Sequence, residues 1–387
     1  MLRDHVEFGA TPLNQYSYMS ISREHHYVPQ FYLRAFSSDD RRIGLFNFER
    51  KLFVENASIK QQCSRRNFYA FAPGLEDAFG EMEGGAASIL RRIRTENALP
   101  TSEEERFALL TFIIFQNLRT AASEDRIVKM TDHMAKMMLQ GSPEVASIDL
   151  ERLTISTSDP IALTLSHASE VAIMATDLKF HLFVSEASRD LITSDDPVVL
   201  HNQFCEDVHH QGVLGWACSG LQVALPIGPK HLLFLFDSKI YKVGESHKGQ
   251  DVSSIRDETD IRQLNLLQVL NASKNVYFRN GSEKSLSECK ALAERRPRAR
   301  LRFVETERMA VGEDKESSLI HHYQRLLPLK LSLKEVAVRR AARKIPATQR
   351  ARMYRSKGDD LFGATDRHNN SALGPTRTYT VSKIIDR

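Results

Sequence analysis

KFHLFVSEASRDLITSDDPVVL, residues 179–200, is where the chain changes character. FHLFVSE, DLITS and PVVL are short apolar runs split by Asp, Ser and Pro. That is the pattern of strands joined by turns, not of a helix. LQVALPI (221–227) and HLLFLF (231–236) continue it, and NVYFRN (275–280) follows a helical stretch from Asp260 to Ala272. Upstream, helical spacing dominates. From Glu76 to Arg94, Phe79, Met82, Ala86, Ile89, Leu90 and Ile93 recur on one face. Pro100-Thr101-Ser102-Glu103-Glu104-Glu105 is a helix start with a cap and acids in its first turn. RFALLTFIIFQNLR (106–119) then runs apolar nearly all round, which marks a buried helix. Ser123–Leu139 and Ser158–Leu178 read as two more helices, with Pro160 tolerated in an early turn. Ahead of them, IGLFNFERKLFVEN (43–56) reads as a hairpin about Glu49-Arg50-Lys51. The fold class is therefore α+β: a mainly helical N-terminal half packed on a mostly antiparallel sheet, followed by a basic helical C-terminal extension.

Composition sets the limits. The 387 residues are 42% hydrophobic and 26% charged, ordinary values for a soluble globular protein. They exclude collagen-like, wholly disordered and multi-span membrane chains. Four cysteines lie far apart with no C-x-x-C pair, against a disulfide framework and a cysteine-based zinc site. The first twenty residues lack an apolar core and no run is long enough to span a bilayer, so no membrane association and a cytoplasmic location are expected. Charge is uneven. Residues 290–357 hold 19 Lys and Arg against 7 Asp and Glu, a balance of +12, whereas residues 1–289 sum to −8. The expected organisation is a flexible leader (1–22), a main α+β domain (23–289), a basic helical extension (290–357) and a disordered tail (358–387). Arg-rich segments such as ERRPRARLRF and VAVRRAARK neutralise phosphates without reading sequence, so nucleic acid is the expected partner of residues 290–357. A solvated charged helix or linker is the plainer alternative.

Several families are excluded by missing signatures: no Walker A, no G-x-G-x-x-G, no G-x-S-x-G and no H-E-x-x-H occurs. Asp177-x-Lys179 has the form of half a restriction-type nuclease site but is common by chance. The sharpest local motif is REHHYVPQFYLRAFS (23–37), in which Gln30, Tyr32, Arg34 and Phe36 alternate in character. His25 and His26, adjacent in a strand, face opposite ways, so only one can serve a given site. That one is a general base, a metal ligand or simply a locally bonded residue.

HHYVPQFYLRAF, NFYAF, GEMEGGAASILRRI, FIIFQNLRT, LITSDDPVVL and LPIGPKHLLF occur in that order. Together they resemble the bacterial domain-of-unknown-function family 4238, with its H-x-V-P-x-x-Y-L-x-x-F opening and later S-D-N-P-V segment, over roughly residues 23–280. The resemblance implies no established activity. It implies that His26, Glu83, Gln116, Arg119, Ser194, Asp195 and Pro197 occupy motif positions. Asp196 stands where the family has Asn, and Arg119-Thr120-Ala121 departs from its R-x-P.

The residues themselves agree that these positions are unusual. Gln116 and Arg119 lie one turn beyond Phe112 and Phe115, on the apolar face of a buried helix. A guanidinium there needs a partner, and Glu83 on the preceding helix is the natural one, because a short connection makes consecutive helices antiparallel neighbours. Ser194-Asp195-Asp196-Pro197 either makes its own turn or projects a carboxylate from a strand end. Two functions stay open. One is a phosphodiester hydrolase acting on nucleic acid. It would use His26 as base, Glu83 and Asp195 as acid or metal ligands and Arg119 as anion clamp, with His25, Gln30, Gln116 and Ser194 in support, and it calls for a divalent metal, Mg or Mn. The other is a non-enzymatic binding or interaction protein, a defence or stress component, whose polar motifs are structural. The hydrolase reading requires His26, Glu83, Arg119 and Asp195 to converge.

Overall fold

The computed structural model describes residues 24–66, 68, 75–140, 143, 148–157, 159–208, 212–244, 251–294, 304–310, 318–324, 326–355 and 379–382. Strand β1 (Glu24–His26) ends before Pro29, which sets the entry to a short helix, α1 (Gln30–Arg34). The alternation read over residues 23–37 is thus a strand only to His26. A proline in extended conformation before five residues free to adopt αR starts a helix. β2 (Arg42–Asn47) and β3 (Leu52–Ser58) form the expected hairpin, with Asn47 opposite Leu52. β4 (Ser64–Arg66) returns to pair antiparallel with β1.

Three long helices follow: α2 (Leu75–Glu96), α3 (Glu103–Leu118) and α4 (Ala121–Leu139). The Ser102 hydroxyl accepts from the Glu105 N–H and that of Thr120 from the Ser123 N–H, satisfying donors that a helix start leaves open. The single helix expected over Ser158–Leu178 is two, α5 (Pro160–Leu165), capped by Asp159, and α6 (Ala168–Met174). Thr164 and Ser166 hydroxyls donate to the carbonyls of Ile161 and Leu163, competing for groups a continuous helix would use, and the chain turns there.

The sheet region then unfolds in order as β5 (Lys179–Ser185), β6 (Thr193–Ser194), β7 (Val199–His201), β8 (Gln222–Gly228), β9 (His231–Phe236), β10 (Tyr241–Val243), β11 (Val252–Ile255), helix α7 (Glu258–Asn271), β12 (Asn275–Phe278) and helix α8 (Glu283–Ala293). One sheet has the order β11-β5-β9-β8-β7 and a second β3-β2-β12-β6; every pairing in them is antiparallel except β11 with β5. The five-stranded sheet is covered on both faces. Leu182, Val223, Leu225, Leu233 and Leu235 share one core with Leu90 and Ile93 of α2 and Leu109 and Ile113 of α3. Phe183, Ala224, Leu232 and Phe234 share another with Leu264 and Leu267 of α7. Two covered faces explain why HLLFLF reads as continuously apolar although the sheet is antiparallel.

The C-terminal part comprises β13 (Val304–Ala310), β14 (Ser318–Gln324), β15 (Val336–Val338), short helices α9 (Arg340–Arg343) and α10 (Ala347–Arg350), and β16 (Tyr379–Ser382). The extension expected to be helical is therefore only partly so among the described residues. It is also not appended. Leu327, Leu331, Leu333, Val336 and Ala342 are buried in the core that holds α7, β15 pairs with β10, and the boundary expected at 289/290 lies inside α8. Side chains of the body hold its backbone: Gln263 bonds both the N–H and the carbonyl of Ser332, and Asp260 accepts from the Lys334 N–H. Charge count suggested a solvated tail, but alternating leucines between the charges fill the core. The leader 1–22 lies outside the described residues. So does the tail expected to be disordered, apart from β16, which pairs with β13. Among the described residues no helix is long and apolar enough to cross a membrane.

Candidate functional site

Arg119 closes α3 and is fully buried. Its Nη1 donates to Glu83 Oε1 at 2.6 Å, its Nε and Nη2 donate to Gln116 Oε1 at 3.2 and 3.0 Å, and its guanidinium lies 5.0 Å over the Phe79 ring. Gln116 in turn donates through Nε2 to the Tyr27 carbonyl at 3.0 Å. The antiparallel α2–α3 pair thus brings Glu83 and Arg119 together, and Gln116 ties them to the motif strand one residue after His26. Glu83 keeps 26% of its side chain exposed, so the anionic end of the set is the end that meets solvent.

Asp195 has a different task. Its carboxylate accepts from three successive backbone N–H groups, Ser273 at 2.7 Å, Lys274 at 2.8 Å and Asn275 at 3.1 Å. These groups follow the C-terminus of α7 and lead into β12. A carboxylate so engaged fixes a turn, and the expectation that Asp195 serves as acid or metal ligand meets oxygens already spent on backbone. Asp196 accepts from the Thr120 hydroxyl at 2.9 Å and pairs with Arg126 at 3.4 Å, joining the start of α4 to the same turn. Ser194 donates to Gln268 Oε1 at 2.8 Å.

The sequence reading missed what holds this segment. Asn265, Gln268 and Asn271 stand three residues apart on α7, a helix otherwise packed in the core. Asn265 accepts from the Ile192 N–H and donates to the Asp190 carbonyl, Gln268 donates to the Pro197 carbonyl, and Asn271 donates to the Asp196 carbonyl at 2.6 Å. Residues 190–198 have few sheet partners, so a row of amides satisfies their backbone instead. The signal was in NLLQVLN, where amides recur at helical spacing inside an apolar run.

His26 directs Nε2 to the Lys60 carbonyl at 3.0 Å and is half-buried, whereas His25 is buried, so the two do face opposite ways. Gln30 accepts from Arg34 at 3.1 Å on the outside of α1. Of the four residues required to converge, the structure joins Glu83 to Arg119, while His26 and Asp195 are turned to the Lys60 carbonyl and to the backbone of 273–275. Next to Asp195 lies a group no motif announced. Cys63, held at φ 52°, has its thiol 3.3 Å from the Tyr277 hydroxyl and bonded to Tyr27. Burial first raises the Cys63 thiol and the Tyr27 and Tyr277 phenols; the Asp195 charge comes next for the thiol, and Cys63 followed by Asp195 for the phenols, so all three stay protonated at neutral pH. Such a thiol is a core residue, not a nucleophile.

The remaining leads resolve simply. Asp177, from the D-x-K pattern, pairs with the buried Arg355 at 2.9 Å. His209-His210 lies outside the described residues. Among the described residues no group of three or more His, Cys, Asp or Glu is placed to hold a metal ion.

A second polar region lies at residues 326–355, with nine Lys and Arg against one Glu. Lys334, Arg350 and Arg355 pair with Asp257, Asp207 and Asp177. Arg339, Arg340, Arg343, Lys344 and Arg352 are exposed, and among the described residues none of these five makes an ion pair. The model of the family described as a protein of unknown function (DUF4238) matches residues 24–282, and the chain belongs to that family. No curated protein and no solved structure matches it.

Proposed function

We propose that this member of the DUF4238 family is a binding protein, with its exposed basic face at residues 339–352 contacting nucleic-acid phosphates. The observation that carries this reading is the set of exposed arginines and lysine on a docked surface, none of which makes an ion pair among the described residues. A guanidinium already positioned on a folded body loses less freedom on binding than one on a loose tail, and its planar fork matches phosphate oxygens. The polar motifs of the N-terminal body fit the same reading. Asp195, Asp196 and Asp177 are engaged in holding backbone and buried cations.

Titrating the full chain against single-stranded and duplex oligonucleotides over a range of salt tests it. Replacing Arg340, Lys344 and Arg352 together by Gln should leave the melting temperature in place and reduce the log–log salt slope by about 2 for single strands. Unchanged affinity and slope would sink the reading. The phosphodiester-hydrolase alternative has one observation in its favour, the partly exposed Glu83 carboxylate beside a buried Arg119. Nuclease assays with and without Mg or Mn decide it, since turnover abolished by Glu83→Gln is the result that reading demands.

A further inference from the structure

A concavity of about 300 Å³ opens in the basic face, walled by Gln203, Phe204, Ser332, the β15 residues Val336 to Val338, Arg343 and Arg350. Its two arginines are held differently. Arg350 lies over the Phe204 ring at 5.0 Å, and its Nε and Nη1 are bonded to the Ile345 carbonyl, the Phe204 carbonyl and the Asp207 carboxylate. Its plane is fixed and part of its charge is offset. Among the described residues Arg343 is tethered through Nε alone, to the Val338 carbonyl at 3.0 Å, and makes no ion pair, which leaves both terminal nitrogens at the rim. At the inner wall, the Gln203 amide nitrogen is bound to the Leu331 carbonyl while its Oε1 is buried with no hydrogen-bond partner. Behind it, Gln222 Nε2 and His201 Nδ1 are likewise buried without partners. These three atoms are enclosed behind the wall and unsatisfied among the described residues, which is uncommon for native buried groups.

A ligand for this concavity needs an anionic group for the guanidinium fork. The volume lies at the lower limit for small-molecule sites and takes one nucleotide unit, not a length of strand. From these features, and resting on the nucleic-acid reading above, we infer that the concavity binds a terminal phosphomonoester of a nucleic-acid strand, with Arg343 and Arg350 on the phosphate and the β15 residues Val336 to Val338 beside the adjoining sugar or base. A terminal monoester carries more charge than the internal diester and presents three oxygens, so it gains more from a pair of guanidiniums than an internal linkage does.

The experiment uses the full chain and one short single-stranded sequence in three forms, with a 5′ phosphate, a 3′ phosphate or hydroxyls at both ends, read by fluorescence anisotropy. One phosphorylated form should bind about tenfold tighter than the hydroxyl form, and which one does so identifies the end. Arg343→Gln should erase that difference. Arg340→Gln, outside the concavity, should weaken all three forms alike. Because Arg343→Gln could affect folding, competition on the unaltered protein gives a second readout: a nucleoside monophosphate should displace the phosphorylated strand at lower concentration than the matching nucleoside. Equal binding of all three forms together with equal competition would overturn the inference and leave the basic face as a general phosphate-binding surface. Absence of binding by any form would overturn both.

Discussion

The turn at Ser194–Pro197 and the basic face at residues 339–352 hold the most conspicuous charge patterns of the chain, and the fold treats them oppositely. Both aspartates of the turn are almost fully buried, one accepting from three backbone N–H groups, the other joined to Thr120 and Arg126. The arginines of the basic face stand on a surface whose leucines are buried and whose guanidinium groups largely remain outside. A charge enclosed with its hydrogen-bonding capacity filled has nothing left to offer a ligand, and its removal is felt as instability. A charge exposed on a rigid support costs little to keep and remains available. What distinguishes architecture from recognition here is how completely each group is used by its neighbours.

The largest test of this contrast is truncation after Glu288. If the extension is part of the core, the shortened chain should lose cooperative thermal unfolding, because Ala342 and four buried Leu and Val side chains leave α7 exposed, each of the four contributing about 1.5–3 kcal/mol. A truncated chain that melts sharply near the original temperature would break the argument. Next, Arg119→Ala should destabilise by about 3 kcal/mol, read by urea unfolding, since it leaves Glu83 and Gln116 without their shared donor and opens a cavity beside Phe79. Asp195→Asn should cost about 2 kcal/mol in the same assay, because an amide offers one good acceptor where three N–H groups need two oxygens.

A smaller effect follows from His181. Burial lowers its pKa to about 4, well under that of an unfolded histidine. The unfolded chain therefore binds the proton first as pH falls. Stability should be complete above about pH 6.5, decline as pH falls from there toward 4, and be lower by about 1 kcal/mol at pH 5.5. His181→Gln should flatten that part of the pH profile, and an unchanged profile would refute the assignment. Least of all, Arg340→Gln should shift stability by under about 0.5 kcal/mol while weakening oligonucleotide binding.

Much of the fold was legible because it rests on local pattern. The hairpin at 43–56, the starts of α3 and α5, and strands β5, β8, β9 and β12 follow from periodicity and caps that a chain carries wherever it folds. Glu83 with Arg119 was legible for a different reason: a buried guanidinium demands an anion, and helix pairing leaves few candidates. The unread parts depend on distant partners. Nothing near Asp195 indicates that its oxygens meet residues 273–275, and nothing near Leu331 or Leu333 indicates that α7 awaits them. Cys63 looked unremarkable because its neighbours, Tyr27 and Tyr277, come from distant parts of the chain.

Arg355 donates to Asp177, to the Met174 carbonyl and to the Cys218 carbonyl, and is itself enclosed. These acceptors are made long before their donor. During synthesis the end of α6 and the loop at Cys218 leave the ribosome with a carboxylate and two carbonyls still answered only by water. Domains that complete themselves early can fold from the N-terminus as they emerge. Here the last stitch is sewn from the far end of the body, so a nascent chain halted before residue 355 carries an open seam, and the finished protein closes only once translation has passed it.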